Sequence, residues 1–408
     1  MEYKDTNFQQ LADIMTTFDP LKCVTPINAD EEKECWLKSA QKGNFTNPSF
    51  CYNYEYLEQV ASHYNEFEPH RRSQILDSIG PIDEVDYIVK DIFHLRFDDA
   101  ATITELASSI LLGNDGTTSR LSAYLFGRQS NGQALQAYKI ANREIPPSYA
   151  KTKPRFTKKD RKALSKLELE ASQIGCWFTV AMNIYKENWV IELSDDCSNI
   201  EINEKTSHIS IPTNYKVNGL ELLMFIERFI ECYLRCNENS RHLFEDLIGK
   251  DSPLMPFVPI LAKSNNELLY NGTAAMKDTI INGLKSSPSP ITVIASDHAN
   301  RGKDFAGVAQ VILPFLDELY NEKTALELAW DITYGVKRGC TDTTKPYCFS
   351  HDFTHFCGHI LSWDLAPVYT DFASLSLEEL IALSAVAELK PKHYNLDVIS
   401  EIKNRLLS

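Results

Sequence analysis

The sequence predicts a mainly α-helical protein with one small β-sheet, an α+β arrangement. Apolar residues recur three and four positions apart over much of the chain, which is the spacing of helices with one buried face. Only the region from about residue 176 to 212 contains short runs rich in β-branched and aromatic residues between polar turns. The 408 residues are 43% hydrophobic and 24% charged, a globular composition with room for two or three domains.

Charge and composition exclude several classes of function. The net charge of −15 disfavours binding to nucleic acid or to anionic membranes. No run of about 18 apolar residues is present, so no membrane span is predicted. The polar start MEYKDTNFQQ lacks the order of a signal peptide. Ten cysteines without a disulfide-like framework complete the expectation of a cytoplasmic protein with reduced thiols.

The first part of the chain is predicted to be a polar lead-in (1–20) and an all-helical region (20–145). Gly113 is expected to stop a helix, and Asn114-Asp115-Gly116 to form a turn. The predicted helices lie around Trp36, after an extended aromatic stretch at Phe50 and Tyr52, at about 70–80, 84–95 and 99–112, and on both sides of Gly127.

Residues 146–166 differ in composition from their surroundings. Two prolines open this segment, and eight Lys or Arg follow in a chain that is otherwise acidic. One interpretation is a solvated linker that runs into a helix, and the other is a local basic surface for an acidic partner. Three predicted strands come next, with the sequences CWFTVAMNI, NWVIEL and HISIP.

The stretch GLELLMFIERFIECYLR, from Gly219 to Arg235, is predicted to be the helix around which the chain is organised. It carries a wide apolar stripe and no Pro or Gly after its first residue. Charged side chains in the middle of such a helix are either paired structurally or face a cleft. The polar positions are Glu227, Arg228, Glu231 and Cys232.

The last third of the chain is predicted to be helical after a proline-rich loop at about 240–262. Further helices are expected at LLYNGTAAMKDTIINGL, FAGVAQVILPFLDELY, TALELAWDITYGVKRG and FSHDFTHFCGHILSWDL. The third should end at Arg338-Gly339, because a cation followed by Gly is a common helix end. A helical tail (369–408) is expected to close the chain.

Several stretches occur in a characteristic order from about residue 20 to 365: TPINADEEKECWL, NPSFCY, LFGRQS, HISIP, IERFIECYLR, YNGTAAM and VKRGCTDTTKPYCFSHDFTHFCGH. In this order they resemble the family of metallopeptidase-like proteins that contains the microtubule tyrosine carboxypeptidases and bacterial relatives of unknown function. The resemblance implies a metallopeptidase-like domain at 167–368, preceded by the N-terminal helical region and the basic linker 146–166.

The resemblance also implies a zinc site, whose residues this chain replaces. The family has a helical HExxxH motif, with two His ligands and a general base, and a third ligand from a later EGLA motif. Glu227 and Cys232 stand at the His positions, Arg228 at the base and Asn271 at the third ligand. A guanidinium cannot accept a proton near neutral pH, and an amide is a poor zinc ligand. We therefore expect no zinc-dependent peptidase activity and no cofactor.

The resemblance further implies that the chain retains a cleft that binds a peptide or protein tail. Arg338 and Arg228 are the predicted anchors for an acidic or C-terminal carboxylate, with Lys337 as a further candidate and Glu227 as the partner of Arg228. A guanidinium binds a carboxylate at two points. The structural alternative is that Arg338 only caps its helix.

Two other hypotheses stay open at this point. An active metallohydrolase would use displaced ligands, either His351 and His355, four residues apart on a helix beside Asp352, or Glu227, Glu231 and Cys232. Imidazoles with a purely structural role are the alternative to the first set. A protein-interaction module would instead use surface charge, above all the basic residues at 151–166.

Overall fold

The computed structural model describes residues 8–67, 84–142, 157–185, 188–197, 199–203, 206–226, 245, 255–258, 289–353 and 356. It confirms a mainly helical chain with small sheets. The helices of this part are α1 (Phe8–Thr17), α2 (Pro20–Val24), α3 (Ala29–Ala40), α4 (Tyr54–Ser62), α5 (Glu84–Leu111), α6 (Asp115–Phe126), α7 (Asn131–Ala141), α8 (Lys158–Leu164), α9 (Ala171–Tyr185), α10 (Gly219–Phe225), α11 (Ser289–Asn300), α12 (Phe305–Asp317) and α13 (Glu322–Lys337). Short 3₁₀ turns cover Tyr64–Phe67 and Met255–Phe257.

The strands of the described part form two small sheets. In the first, β1 (Glu168–Glu170) pairs antiparallel with β5 (Lys216–Asn218). In the second, β4 (His208–Pro212) lies between β2 (Val190–Ser194), which is parallel to it, and β3 (Glu201–Asn203), which is antiparallel. The predictions for NWVIEL and HISIP are thereby confirmed.

The strand predicted at CWFTVAMNI is wrong, because these residues lie within helix α9. The buried side chains of α9 recur at Ile174, Phe178, Ala181 and Met182, which is helical spacing. The helix packs against the three-stranded sheet, since a Cβ added at Gly175 would lie 3.8 Å from the side chains of Ile191 and Ile211. Packing against a sheet therefore explains the apolar composition that resembled a strand.

Helix α5 is one continuous helix where the sequence predicted two, at 84–95 and 99–112. The residues between the two predicted pieces, 96–98, include no Pro or Gly that would break a helix. Gly113 ends the helix as predicted, with a φ of 63°. The turn predicted at Asn114-Asp115-Gly116 is instead the start of α6, because the Asn114 side chain accepts a hydrogen bond from the Thr117 amide.

Two separate hydrophobic cores organise the described residues. One core joins helices from both ends of the chain, α2–α7 with α11–α13, and the other joins α8–α10 with the strands. At the centre of the first core, the ring of Trp330 lies 5.6 Å from that of Trp36 and 5.0 Å from that of Phe305. Helices α11–α13, which belong to the domain predicted over 167–368, share this first core with the N-terminal helices. The division into domains stays a prediction.

The organising helix is described from its start to residue 226. Asn218 and Glu221 form a capping box at its first turn, in which each side chain accepts from the backbone amide of the other residue. Within the described part of the chain, no helix combines the length and apolar character needed to cross a membrane. The helices predicted at about 70–80, at LLYNGTAAMKDTIINGL and in the tail 369–408 lie outside the described residues.

Candidate functional site

Arg338 lies at the C-terminus of α13, where the sequence predicted the helix to end. Its backbone amide donates to the Tyr334 carbonyl at 2.8 Å and closes the last turn. Gly339 follows with a φ of 82°, and a Cβ there would lie 2.7 Å from the Tyr347 hydroxyl and 2.8 Å from Cγ1 of Val24. Only glycine fits this backbone and this space, so the chain leaves the helix immediately after Arg338.

The Arg338 guanidinium is held by one ion pair and one aromatic ring. Nη2 donates to Oδ1 of Asp352 at 3.0 Å. The guanidinium carbon lies 5.1 Å from the centroid of the Phe349 ring, a cation–π arrangement. The Arg338 side chain is 13% exposed and that of Asp352 25% exposed. A pair so removed from solvent is screened less than a surface ion pair.

His351 completes a triangle of close polar contacts. Its Nδ1 lies 2.9 Å from Oδ1 of Asp352 and 3.0 Å from Nη2 of Arg338. Nδ1 donates to the carboxylate in one tautomer and accepts from the guanidinium in the other. The imidazole also packs edge-on against Phe126 at 4.9 Å. Oδ1 of Asp352 thus lies within hydrogen-bond distance of both neighbours.

Gly335 provides the space for this carboxylate. A Cβ added to Gly335 would lie 2.1 Å from Oδ2 of Asp352. Glycine inside a helix costs about 1 kcal/mol relative to alanine. The close approach of Asp352 to the backbone of α13 is the physical reason for this glycine.

Tyr334, one turn before Arg338, links the site to the start of the chain. Burial raises the pKa of its hydroxyl, while the Arg338 charge and a hydrogen bond with Thr25 act in the opposite direction. Its ring stacks on Trp330 with a centroid distance of 6.4 Å. Thr25 belongs to TPINADEEKECWL and Phe126 to LFGRQS, so several of the stretches that carry the family resemblance meet around Arg338.

The segment that follows Arg338 is held by polar contacts from distant parts of the chain. The Asp115 carboxylate accepts from the backbone amide and hydroxyl of Thr341, at 2.8 and 2.9 Å, and from the Asp342 amide at 3.2 Å. The Tyr52 hydroxyl donates to the Cys340 carbonyl at 2.9 Å. These long-range contacts fix where the chain turns back toward Asp352.

Lys337 does not fit its predicted role as a substrate-binding residue. It is fully buried, and its Nζ donates to the carbonyls of Lys303 and Lys345 at 2.7 and 3.1 Å. Burial lowers the pKa of this ammonium, and the charges of Asp304 and Asp115 offset only part of that effect. Its donors serve the protein backbone, so Lys337 is a structural cation.

The metal site predicted at His351, Asp352 and His355 rested on helical spacing, and the structure corrects that premise. His351 and Asp352 lie in a turn, and Phe353 after them is helical. A metal between Nδ1 and Oδ1 would have to displace the Arg338 guanidinium, which lies 3.0 Å from both atoms. Within the described ranges, no three His, Cys, Asp or Glu side chains are grouped to hold a metal.

Several predicted site residues lie outside the described residues. They are Glu227, Arg228, Glu231, Cys232, Asn271 and His355. Sequence reasoning in turn missed Phe349, Phe126 and Gly335. Of these, Gly335 had a usable signal, since a glycine inside an amphipathic helix three residues before an arginine indicates a close approach on the arginine's face.

A surface depression lies at the carboxyl ends of the parallel strands β2 and β4. It has a volume of about 480 Å³, opens broadly to solvent, and is lined by Ser194, Asp195, Asp196, Cys197, Thr213 and Asn214. The Thr213 hydroxyl donates to Asp195. None of its lining residues belongs to the cluster around Arg338.

No protein-family model matches the chain, and a search of curated proteins finds no match. The resemblance to the tyrosine-carboxypeptidase-like family therefore stays a prediction from the sequence.

Proposed function

We propose that this protein binds the acidic or C-terminal tail of a peptide or protein, with Arg338 as the anchor for a carboxylate. The observation that carries the proposal is the arginine itself. Its side chain is 13% exposed, and its guanidinium already holds a carboxylate oxygen at 3.0 Å. A guanidinium that is held in place and largely removed from solvent can bind a carboxylate through two parallel hydrogen bonds.

The unused hydrogen-bonding capacity of Arg338 supports the proposal. Its Nε is buried and has no hydrogen-bond partner in the structure. A buried donor without an acceptor costs about 1–3 kcal/mol. A ligand carboxylate on the Nε–Nη2 edge would satisfy this donor with one oxygen and take the place of Asp352 with the other.

Under this proposal the protein binds its ligand without zinc-dependent hydrolysis. Arg228, at the position of the family's general base, cannot take a proton from water near neutral pH. Asn271 is a poor zinc ligand, and Glu227 would serve as the partner of Arg228 instead. The proposed setting is the cytoplasm, where an acidic tail of another protein is available as a ligand.

Titration with a matched pair of peptides tests the proposal. The acidic peptide acetyl-Glu-Glu-Glu-Phe carries a free C-terminal carboxylate, and its C-terminal amide does not. We expect calorimetry to show that wild-type protein prefers the acid. Arg338→Gln should weaken that binding about 10–100-fold, the loss of charge-assisted hydrogen bonds worth about 1.5–3 kcal/mol.

The control removes a different cation from the same helix. Lys323 is 81% exposed and pairs with Glu327, so Lys323→Gln changes the net charge equally and should leave affinity unchanged. Equal binding by wild type and Arg338→Gln would contradict the proposal. Stoichiometric zinc by elemental analysis, together with release of the terminal Phe, would favour the metallohydrolase.

The basic helix α8 supports a second candidate, an interaction module that uses surface charge. Lys158 and Lys159 are exposed at its first turn. Charge reversal at Lys158, Lys159 and Arg161 would then abolish binding to an acidic partner, while Arg338→Gln would have no effect.

A further inference from the structure

We infer that Asp352 is an internal competitor for the ligand's carboxylate at Arg338, and thereby sets the affinity of the site. This inference rests on the proposed function and adds a regulatory residue to it. In the structure, Asp352 gives Arg338 the same chemical group that a C-terminal tail would give. The described protein is therefore in a self-occupied state.

The first support is the position of both carboxylate oxygens. Oδ1 accepts from Arg338 Nη2 at 3.0 Å and faces His351 Nδ1 at 2.9 Å. Oδ2 lies 2.1 Å from the position that a Cβ of residue 335 would take, so a larger residue there would clash with it. A flexible surface ion pair does not need space beside a helix backbone. The glycine at position 335 therefore indicates a defined binding position for the Asp352 carboxylate.

The second support is the limited access of a ligand to the Arg338 guanidinium. The Arg338 side chain is 13% exposed, and its other face is covered by the Phe349 ring. Its Nε is out of contact with solvent. A ligand carboxylate can reach the Nε–Nη2 edge only after Asp352 has moved away from Nη2. Binding is then an exchange of one carboxylate for another at the same cation.

The exchange has an energetic consequence. Arg338 keeps a carboxylate partner throughout, so the ligand gains only the difference between its own contacts and those of Asp352. A neutral amide at position 352 would hold the guanidinium less tightly, because charge-assisted hydrogen bonds are roughly twice as strong as neutral ones. Removing the competitor should therefore tighten binding by about tenfold.

Asp352→Asn is the direct test, with the same acid and amide peptides as probes. We expect the variant to bind acetyl-Glu-Glu-Glu-Phe about tenfold more tightly than wild type. Asp331→Asn is the matched control, because Asp331 lies on α13 and pairs with Lys33 instead of Arg338. It removes the same charge and should leave affinity unchanged.

A second variant keeps the test open should Asp352→Asn fail to fold, which circular dichroism would reveal. Gly335→Ala displaces the carboxylate sterically and leaves its charge in place, so it too should tighten binding. If the wild type binds the peptide and both variants bind it equally well or more weakly, the inference is overturned while the proposed function stands. Absence of binding by every protein would overturn both, and binding by the variants alone would support both.

Discussion

At the scale of single residues, the described site depends on one glycine as much as on its charged groups. Glycine at position 335 makes the helix less stable than alanine would. Its missing side chain leaves room for Asp352 to reach the backbone of α13 and the guanidinium of Arg338. The identities of these residues are visible in the sequence. Their contact is not, because Asp352 follows Arg338 through a loop that returns to the helix.

Gly335→Ala should lower the free energy of unfolding by about 1–3 kcal/mol, the cost of overpacking, even though alanine favours the helix. The new Cβ would lie 2.1 Å from Oδ2 of Asp352 and must push it away. Urea denaturation followed by circular dichroism measures the change.

Gly132→Ala in α7 is the control for helix propensity. A Cβ there meets nothing closer than the Ser130 hydroxyl at 3.9 Å. Its stability should stay equal or rise by up to about 1 kcal/mol. If Gly335→Ala had the same effect on stability as Gly132→Ala, the close approach of Asp352 to residue 335 would be disproved.

At the scale of elements, helix ends were the most predictable features. Helix α13 ends at Lys337 with Arg338 and Gly339 behind it, as the sequence indicated, because a glycine with positive φ is a local requirement. Helix α9 shows the opposite case. Its β-branched and aromatic residues predicted a strand, and packing against the sheet overrode that local preference.

Asn218→Ala tests the start of the organising helix. The Asn218 side chain accepts from the amides of Leu220 and Glu221, both at 3.0 Å, and the substitution removes these bonds. We expect a loss of about 1 kcal/mol in the free energy of unfolding, the usual cost of an N-cap. Thermal and urea unfolding are the measurements.

Asn218→Asp and Asn218→Ser, which keep a capping oxygen, should restore most of the stability lost in the alanine variant. If the serine and alanine variants were equally unstable, a cause other than the cap would have to explain the loss.

At the scale of the whole molecule, the larger core is made by helices from distant parts of the chain. Its interior also encloses thiols. Burial raises the pKa of Cys23, Cys340 and Cys348 from 9.0 to about 12. A thiol that ionises less readily when folded stabilises the fold fully below its unfolded pKa, and this contribution is lost as pH rises through the folded value.

Stability under reducing conditions should therefore fall between about pH 9 and pH 12. Each of the three thiols contributes a slope of up to ~1.4 kcal/mol per pH unit. Urea denaturation at a series of pH values measures this slope, and Cys348→Ala should make it shallower by one proton. Cys51→Ala, at an exposed position, should leave it unchanged, and an unchanged slope in Cys348→Ala would contradict the assignment.

Much of the fold class followed from the sequence, because helical periodicity and short β-branched runs are local properties. The strands at NWVIEL and HISIP and helices α3, α4, α12 and α13 were predicted correctly. The pairing of distant helices in the larger core did not follow from the sequence. Residues 289–353 share a core with helices that precede them by some 150 positions or more, and no local pattern encodes such a pairing.

The sequence by itself determined the mainly helical class and the position of Arg338 at a helix end. Each depends only on residue types and their spacing. The tertiary structure alone decided that Arg338 pairs with Asp352 over Phe349, and that its neighbour Lys337 is buried against backbone carbonyls. Two adjacent cations look alike in sequence, and only long-range packing distinguishes the ion-pair site of Arg338 from the carbonyl-lined, buried site of Lys337.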